Sequence, residues 1–279
     1  MLRTFVAVNE TGSITSAGRQ VGRTQPAVTH QIHRLEKALG KPLFAGDRRH
    51  LNLTPDGEIL LGYARTLLNL NDEIRERFRA PDIAGHVRLG VPDLYAAFLL
   101  PAVLGRFSRA YPQIEIELRC SRSVHLHAAL QRDEIDVAVM TRQPEFGAAT
   151  VVREEPLIWV AARDYPVSTQ GTLPLALLPA GSIYRQHALD ALGHVGRSWT
   201  ITAVSDSIAG LQAAVYAGLA VSIFPLCALN QNMRRLGRAD GLRDLPAMEI
   251  VLQRKPSGVG PAAEHLAQYI EAELGGSVR

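Results

Sequence analysis

Polar and basic side chains recur near the N-terminus at a spacing that would let them hydrogen bond to nucleic acid. They share one short stretch: Gln25, Thr29, His30, His33, Arg34 and Lys37. Amide, hydroxyl and guanidinium groups are donors that proteins use on base edges and phosphate oxygens. Apolar residues lie between them at helical spacing and form a separate stripe: Val28, Ile32, Leu35 and Leu39. The pattern predicts a helix with a polar, basic outer face.

Local start and stop signals predict that this helix is the second of a pair. Ser13 is expected to cap the first helix, and Gly22 lies where that helix must end and the chain must turn. Thr24 is the expected cap of the second helix, with Pro26 in its first turn. This layout indicates a helix-turn-helix, whose second helix enters the DNA major groove. An ordinary helical hairpin is the alternative.

Residues on both sides of the pair predict a small winged domain. Three apolar residues at helical spacing begin an earlier helix: Leu2, Phe5 and Val6. After the pair, Leu51 and Leu53 alternate with polar residues as a short strand would. The hairpin that contains this strand would carry Arg48 and Arg49 at its tip to the DNA backbone or minor groove. A solvated surface loop is the alternative.

A long helix is predicted next, because Thr54 can cap it and Pro55 suits its first position. Apolar residues then recur at spacings of 3, 4, 3 and 4: Leu60, Tyr63, Leu67, Leu70 and Ile74. This spacing is typical of a coiled-coil seam, so we expect the helix to pair with that of a second copy. The alternative is an amphipathic helix packed on its own domain.

The charge distribution separates the N-terminal part from the rest. Residues 1–57 hold eight Lys/Arg and four Asp/Glu, a balance of +4. The remaining 222 residues hold 22 and 23, a balance of −1. A basic excess confined to the first fifth is expected of a module that faces phosphates.

Strands alternate with helices in the remainder of the chain. Apolar strands at 87–91, 114–119 and 135–140 are separated by helical patterns, which predicts a parallel sheet. A second such set begins near Tyr165, and a strand at 248–253 is expected to return toward the first set. Two α/β lobes joined in this way would leave a cleft for a small ligand.

The predicted fold class is therefore α/β, with three parts in chain order. They are a winged helix-turn-helix at 1–57, a linker and dimerisation helix with a hinge at 58–85, and an effector-binding domain at 86–279. Within the last part, the first lobe is expected at 86–163 and 249–279, and the second at 164–248.

Several classes of protein are excluded by what the sequence lacks. No apolar run could span a membrane and the first residues show no signal-peptide pattern, so a cytoplasmic, nucleoid-associated protein is expected. Cys120 and Cys227 are expected to be small buried apolar side chains. Nucleophile elbows, phosphate loops and zinc-protease motifs are absent, so no enzyme, cofactor or metal site is predicted.

Motifs along nearly the whole chain resemble those of the LysR-type transcriptional regulators. The N-terminal signature is Phe5-Val-Ala-Val, Gly12-Ser13, Ala17, Thr24-Gln25-Pro26-Ala27-Val28-Thr29, Ile32, Leu35-Glu36, Leu39-Gly40, Pro42-Leu43-Phe44, Leu53-Thr54-Pro55 and Gly57. The remainder is similar to the family's two-lobed effector domain, which resembles periplasmic binding proteins. Its matching features are Leu100-Pro101, Phe107, Tyr111-Pro112, Asp136-Val-Ala-Val and Val215-Tyr-Ala-Gly-Leu-Ala-Val-Ser-Ile-Phe-Pro. The second half also resembles a subgroup that regulates motility and exoenzymes.

The resemblance implies a ligand-responsive regulator that assembles on double-stranded DNA as a homotetramer, a dimer of dimers. It implies DNA contacts from Gln25, Pro26, Thr29, His30, Arg34, Arg48 and Arg49. It implies effector contacts from loops that contain Asp93, Tyr95, Ser121, Ser123, Thr141, Ser205 and Ser207. RNA polymerase is a further expected partner. Many family members carry arginine where this chain has His30, so an altered base preference is expected at that step.

The effector is expected to be an acidic or carbonyl-bearing small molecule that controls binding to a promoter inverted repeat. Ser121, Ser123 and Ser207 are predicted to open helices, where free N–H groups and the helix dipole favour an anion. The alternative for these serines is capping alone. The alternative for the protein is a constitutive DNA-binding repressor whose α/β domain only oligomerises.

Overall fold

The computed structural model describes residues 1–45, 51–79, 83–168 and 171–275. The chain divides into two compact units, Met1–Ala80 and Pro81–Arg279. Among the described residues, no helix combines the length and the hydropathy that a membrane span requires.

The first unit is built from helices and one short hairpin. Its elements are α1 (Leu2–Thr11), α2 (Ile14–Gln20), α3 (Gln25–Leu39), β1 (Phe44–Ala45), β2 (Asn52–Leu53) and α4 (Pro55–Arg79). Ser13 caps α2 as predicted, since its Oγ accepts from Ser16 N at 3.3 Å. Thr24 holds the N-cap position of α3, but its hydroxyl makes no capping bond. Gly22 and Gly40 take left-handed φ angles of 64° and 67° at the turns after α2 and α3.

Apolar faces of the helices meet in a small core. The largest members are Phe5, Val8, Val28, Ile32, Leu35 and Leu43. Val21 is only partly buried against this cluster. The wing is present as the antiparallel pair β1–β2, with Phe44 opposite Leu53. Its predicted tip residues, Arg48 and Arg49, lie outside the described residues.

Helix α4 begins as its sequence predicts and then leaves the core. Thr54 Oγ1 accepts from Gly57 N at 3.0 Å and so caps the first turn. Leu60 is half-buried against the core of the first unit. The other four predicted seam residues are exposed: Tyr63 by 67%, Leu67 by 54%, Leu70 by 50% and Ile74 by 49%.

The second unit alternates strands and helices over most of its length. In chain order these are β3 (Gly85–Val91), α5 (Asp93–Phe98), α6 (Pro101–Ala110), β4 (Ile114–Cys120), α7 (Ser123–Gln131), β5 (Val137–Thr141), β6 (Thr150–Glu155), β7 (Leu157–Ala162), β8 (Leu173–Leu177), α8 (Ile183–His194), β9 (Trp199–Val204), α9 (Ile208–Tyr216), β10 (Ser222–Pro225), β11 (Met233–Leu236), β12 (Met248–Arg254) and α10 (Pro261–Gly275). Short 3₁₀ turns lie at 144–146, 226–228 and 238–240.

The first lobe contains a five-stranded sheet in the order β4-β3-β5-β12-β6. Strand β3 pairs in parallel with β4 and β5, as the strand–helix alternation predicts. Strand β12 returns to this sheet antiparallel to β5 and β6. Helices α6 and α10 supply Phe107, Leu266 and Ile270 to its core.

The second lobe contains two sheets linked by one bridge. Strand β7 pairs antiparallel with β10 and β11, and β8 pairs in parallel with β9. An isolated bridge from Leu175 to Val221 joins the two sheets. Helices α8 and α9 cover them, with Tyr184, Ala188 and Leu211 buried.

One sequence prediction is corrected by this topology. The first lobe was expected to continue to residue 163, but β7 pairs with strands of the second lobe, so the chain crosses at Pro156. Helix α5 ends at Phe98 and α6 begins at Pro101. Proline cannot donate a backbone hydrogen bond and suits the first turn of a helix, which explains the new start.

Candidate functional site

Helix α3 presents one buried and one exposed face. Val28, Ile32 and Leu35 are buried in the core of the first unit. The opposite set is exposed: Gln25, Pro26, His30, His33, Arg34 and Lys37. Apart from Pro26, these exposed groups are hydrogen-bond donors or cations at the N-terminal and outer parts of the helix. That arrangement can bind base edges and phosphates in a DNA groove.

Thr29 differs from the other predicted contact residues. It is half-buried, and its Oγ1 donates to the carbonyl of Gln25 at 3.1 Å. The hydroxyl proton is therefore engaged within the helix, which leaves the oxygen as an acceptor and the methyl group as an apolar surface.

Glu36 connects α3 to the start of the wing. Its occurrence in the family signature did not indicate this role. Its Oε1 accepts from Leu43 N at 2.9 Å, and its Oε2 lies 3.3 Å from His33 Nδ1. The first contact fixes where the chain leaves the helix, so Glu36 positions the hairpin relative to the exposed face.

A cavity of about 560 Å³ lies between the two lobes of the second unit. Its walls include six of the seven predicted effector residues: Asp93, Tyr95, Ser121, Ser123, Thr141 and Ser207. Ser205 is not among the lining residues, because its Oγ turns back to the peptide of Ser207, accepting from the N–H at 3.1 Å. Ser205 Oγ also packs closely against Gly210, where a Cβ atom on residue 210 would lie only 2.3 Å from it.

Three hydroxyl groups from both lobes meet in the cavity wall. Tyr95 Oη lies 2.6 Å from Thr141 Oγ1 and 2.8 Å from Tyr184 Oη. Burial raises the pKa of Tyr95 well above its ordinary value and raises that of Tyr184 to about 12. Both phenols are therefore neutral at physiological pH. Tyr184 was not predicted as a site residue, since 89 residues separate it from Tyr95.

The Asp93 carboxylate accepts one backbone hydrogen bond from each lobe at the junction of the lobes. Its Oδ1 accepts from Leu94 N and its Oδ2 accepts from Ile208 N, each at 2.9 Å. Ile208 is the first residue of α9, so a side chain of the first lobe caps a helix of the second.

The three serines that were expected to open helices differ in their contacts. Ser207 caps α9, accepting from Ala209 N at 3.2 Å. Ser123 does not cap α7; its Oγ accepts from Thr141 N at 3.2 Å and so joins α7 to the end of β5. Ser121 Oγ lies 3.5 Å from His125 Nδ1. The N-cap position of α7 belongs to Arg122 instead.

Arg122 is a cation of the cavity wall that the sequence analysis missed. Its Nε lies 4.0 Å from Asp206 Oδ1, and Asp206 is 69% exposed. A pair at that distance with an exposed partner is weak, so the guanidinium keeps donors for a further acceptor. Its position between Ser121 and Ser123 could have identified it, because a basic residue in a loop that is predicted to bind an anion is itself a candidate anion ligand.

The expectation of two buried cysteines is wrong. Cys120 is exposed and lines the cavity, and Cys227 is half-buried. Partial desolvation of the Cys120 thiol, together with Asp93, raises its pKa, and burial, together with Glu155, raises the pKa of Cys227 to about 12. Both thiols are protonated at neutral pH, so neither is an activated nucleophile.

Most of the remaining cavity wall is apolar, including Leu94, Ile183, Ile208, Leu211 and Phe224. The cavity thus combines an apolar body, neutral hydroxyls, the carboxylates of Asp93 and Asp206, and a weakly paired guanidinium from Arg122. Such a site can enclose a small molecule with an apolar frame and an acceptor group.

Two family models match successive parts of the chain. The bacterial regulatory helix-turn-helix protein, lysR family, matches residues 1–58. The LysR substrate binding domain matches residues 81–275.

Relatives and solved structures of similar proteins extend over most of the chain. The HTH-type transcriptional regulator PecT of Dickeya dadantii is 35% identical, covering 92% of this chain and 81% of its own length. DgdR of Burkholderia cepacia is 32% identical, covering 95% of this chain and 92% of its own length. HinK of Pseudomonas aeruginosa, a LysR family transcriptional regulator, has a TM-score of 0.57 at 21% identity over 99% and 98% of the two chains. DarR of Vibrio fischeri in complex with DNA has a TM-score of 0.58 at 18% identity over 96% of each chain, a likeness of fold.

Proposed function

Since the chain belongs to the LysR family of transcriptional regulators, we propose that it binds a promoter inverted repeat under the control of a small acidic effector. Membership makes it a regulator with a DNA-binding helix-turn-helix and an effector-binding domain, and not an enzyme. The proposal concerns the residues, the DNA arrangement and the effector chemistry.

The exposed face of α3 is the observation that supports DNA recognition. Gln25 and Pro26 open the helix, and His30 and Arg34 continue its outer face with spacings of one turn. In a major groove the residues at the helix start approach base edges, while an arginine further along reaches phosphate. His30 is shorter than arginine and has fewer donors, so we expect it to discriminate guanine less strongly.

Pairing through α4 would supply two such helices to one operator. The exposed apolar residues Tyr63, Leu67, Leu70 and Ile74 support pairing with a second copy, because single soluble helices do not usually expose such a stripe. A two-fold dimer reads an inverted repeat with half-sites about one helical turn, roughly 10 bp, apart. A dimer of dimers would engage two such repeats, and contact with RNA polymerase would follow from its position at a promoter.

The cavity supports effector control over the alternative of a constitutive repressor. An effector can shift the assembly only through different affinities for two lobe arrangements, and this cavity is lined by both lobes. Arg122 supports an acidic effector, because its guanidinium can form charge-assisted hydrogen bonds to a carboxylate. The motility and exoenzyme subgroup stays a prediction.

Fluorescence anisotropy on DNA from upstream of the gene, against scrambled DNA across a salt series, tests the DNA proposal. We expect tighter binding to the upstream DNA, with log affinity falling linearly against log salt. Arg34→Ala should weaken binding to both DNAs and reduce the salt slope by about one unit. Arg132→Ala, in a surface pair with Glu134, is the control and should leave both values unchanged. Equal, weak binding of the wild type to both DNAs would contradict the proposal.

Thermal shift of the full-length protein against small carboxylic acids and their primary amides tests the effector proposal. An acid should stabilise the protein more than its amide, because only the acid gains the charge of Arg122. Arg122→Gln should weaken binding of that acid by about 2 kcal/mol, roughly thirtyfold. Arg142→Gln is the matched control, since Arg142 pairs with Glu249 and does not line the cavity. Amides that bind as well as acids would contradict the acidic effector.

A further inference from the structure

We propose that Asp93 is a built-in clasp that holds the two lobes together over the cavity in the absence of effector. It is a positioning residue and not an effector ligand. The clasp itself is independent of the proposed function, and only its consequence for effector affinity rests on that function.

The contacts of the carboxylate support this role. Both of its oxygens already accept backbone N–H groups, one from Leu94 in its own lobe and one from Ile208 in the other. Ile208 N–H is one of the first amides of α9, which have no partner within the helix. A carboxylate at that end also interacts favourably with the helix dipole. An effector anion would have to displace Asp93 to reach this amide.

Apolar packing between the lobes lies beside the clasp. Leu94 and Phe98, which follow Asp93 on α5, pack against a cluster of the second lobe that includes Ile208, Leu211 and Phe224. The turn at 226–228 in the second lobe also packs against α5. The start of α5 is therefore the place where side chains of the first lobe pack against the second lobe.

A closed arrangement that exists before binding lowers the cost of binding. If the lobes are already held together, an effector enters a formed cavity, and none of its binding free energy is used to bring the lobes into place. Arg122, on the next strand-to-helix loop, is then left as the cation for the effector. Asp93 thus raises effector affinity without touching the effector.

Hydrogen–deuterium exchange of the full-length, effector-free protein tests the clasp. Two peptides report on it: the start of α9 at 205–212 and the turn at 226–229. Asp93→Ala should raise exchange in both by about tenfold or more, because a charge-assisted hydrogen bond that held them closed is lost. Peptides from α10, which lies away from the junction, should not change.

Formate can replace the carboxylate that Asp93→Ala removes, so its addition shows whether a change in exchange is caused by loss of that group. Added formate should restore protection of both peptides in Asp93→Ala, whereas sodium chloride at equal ionic strength should not. Wild type and Asp190→Ala should not respond, since Asp190 accepts from Gln186 within α8 and bridges no lobes.

Two outcomes would overturn the clasp. In the first, Asp93→Ala raises exchange only at 205–212, which would make Asp93 a local helix cap. In the second, both peptides keep wild-type exchange. If Asp93→Ala raises exchange throughout the chain, Asp93→Asn decides, because it keeps the size and one acceptor of aspartate. A smaller increase confined to the two peptides supports the clasp, and an unchanged pattern refutes it.

Discussion

Asp136 shows how one carboxylate stabilises the first lobe by joining separate segments. It accepts from Arg88 N at 2.9 Å, from Arg88 Nη2 at 2.8 Å and from Lys255 Nζ at 3.0 Å. Burial opposes its ionisation, but these bonds outweigh that cost and hold the pKa of Asp136 well below its usual 3.8. The charged form therefore stabilises the folded state.

Asp136→Asn should lower the free energy of unfolding by about 2–3 kcal/mol near neutral pH, because Arg88 and Lys255 lose a buried partner. A lowered folded-state pKa contributes stability that is present above the unfolded-state value and is lost as pH falls through the folded-state value. The gap between wild type and variant should therefore shrink as pH falls below about 4. Urea unfolding near neutral and acidic pH measures it, with Asp190→Asn as an exposed control. A gap that did not change with pH would contradict this account.

At the residue scale, sequence reasoning found positions more reliably than contacts. Asp93, Tyr95 and Thr141 line the cavity as expected, because loops at the carboxyl ends of parallel strands meet at one edge. Their partners could not be predicted, since Ile208 lies 115 residues from Asp93 and Tyr184 lies 89 residues from Tyr95. Local patterns contain no information about which distant helix start will face a given strand end.

At the element scale, a residue can hold the N-cap position of a helix without making a capping hydrogen bond. Ser13 and Thr24 both precede helices, but only the Ser13 hydroxyl accepts from its helix. Ser13→Ala should destabilise the protein by about 1 kcal/mol, and Thr24→Ala by much less, in the absence of DNA. Thermal or urea unfolding of the two variants measures the difference. Equal losses would show that the position, and not the hydroxyl, determines stability.

The exposed stripe of α4 carries the second prediction at this scale. Leu67→Glu should lower the mass of the assembly in analytical ultracentrifugation, because a charge would be buried in an apolar contact between copies. Arg65→Glu is the matched control, since Arg65 is exposed on the same helix but away from the stripe. An unchanged mass for Leu67→Glu would place the contact between copies elsewhere.

Periodicity predicted most elements but failed where strands had no helix between them. Helical spacing predicted α3 and α4, and both helices are present. Strands β6 and β7 were missed because only Pro156 separates them, and the apolar run of β7 was attached to the wrong lobe. The choice between sheets is made by long-range pairing with β10 and β11, which the local pattern does not contain.

Under the proposed pairing of subunits, the spacing of the operator would be determined by the assembly as a whole. If paired recognition helices read two half-sites, inserting about 5 bp between them rotates one half-site to the far side of the duplex. Affinity should then fall to that of a single half-site, and an insertion of about 10 bp should recover part of it. Anisotropy on the three DNAs measures this. Equal affinity for all three would mean that the subunits bind DNA independently.

The sheet order of the first lobe also decides when that lobe can form as the ribosome releases the chain. Strand β12 lies inside the sheet, between β5 and β6, yet it follows the whole second lobe in the chain. Until residue 254 has been made, β6 has no neighbour in its sheet and β5 has one open edge. The second lobe has all of its strands by residue 236. Synthesis, which proceeds from the N-terminus, therefore lets the later lobe complete its strands first, and the earlier lobe must wait for its own last strand.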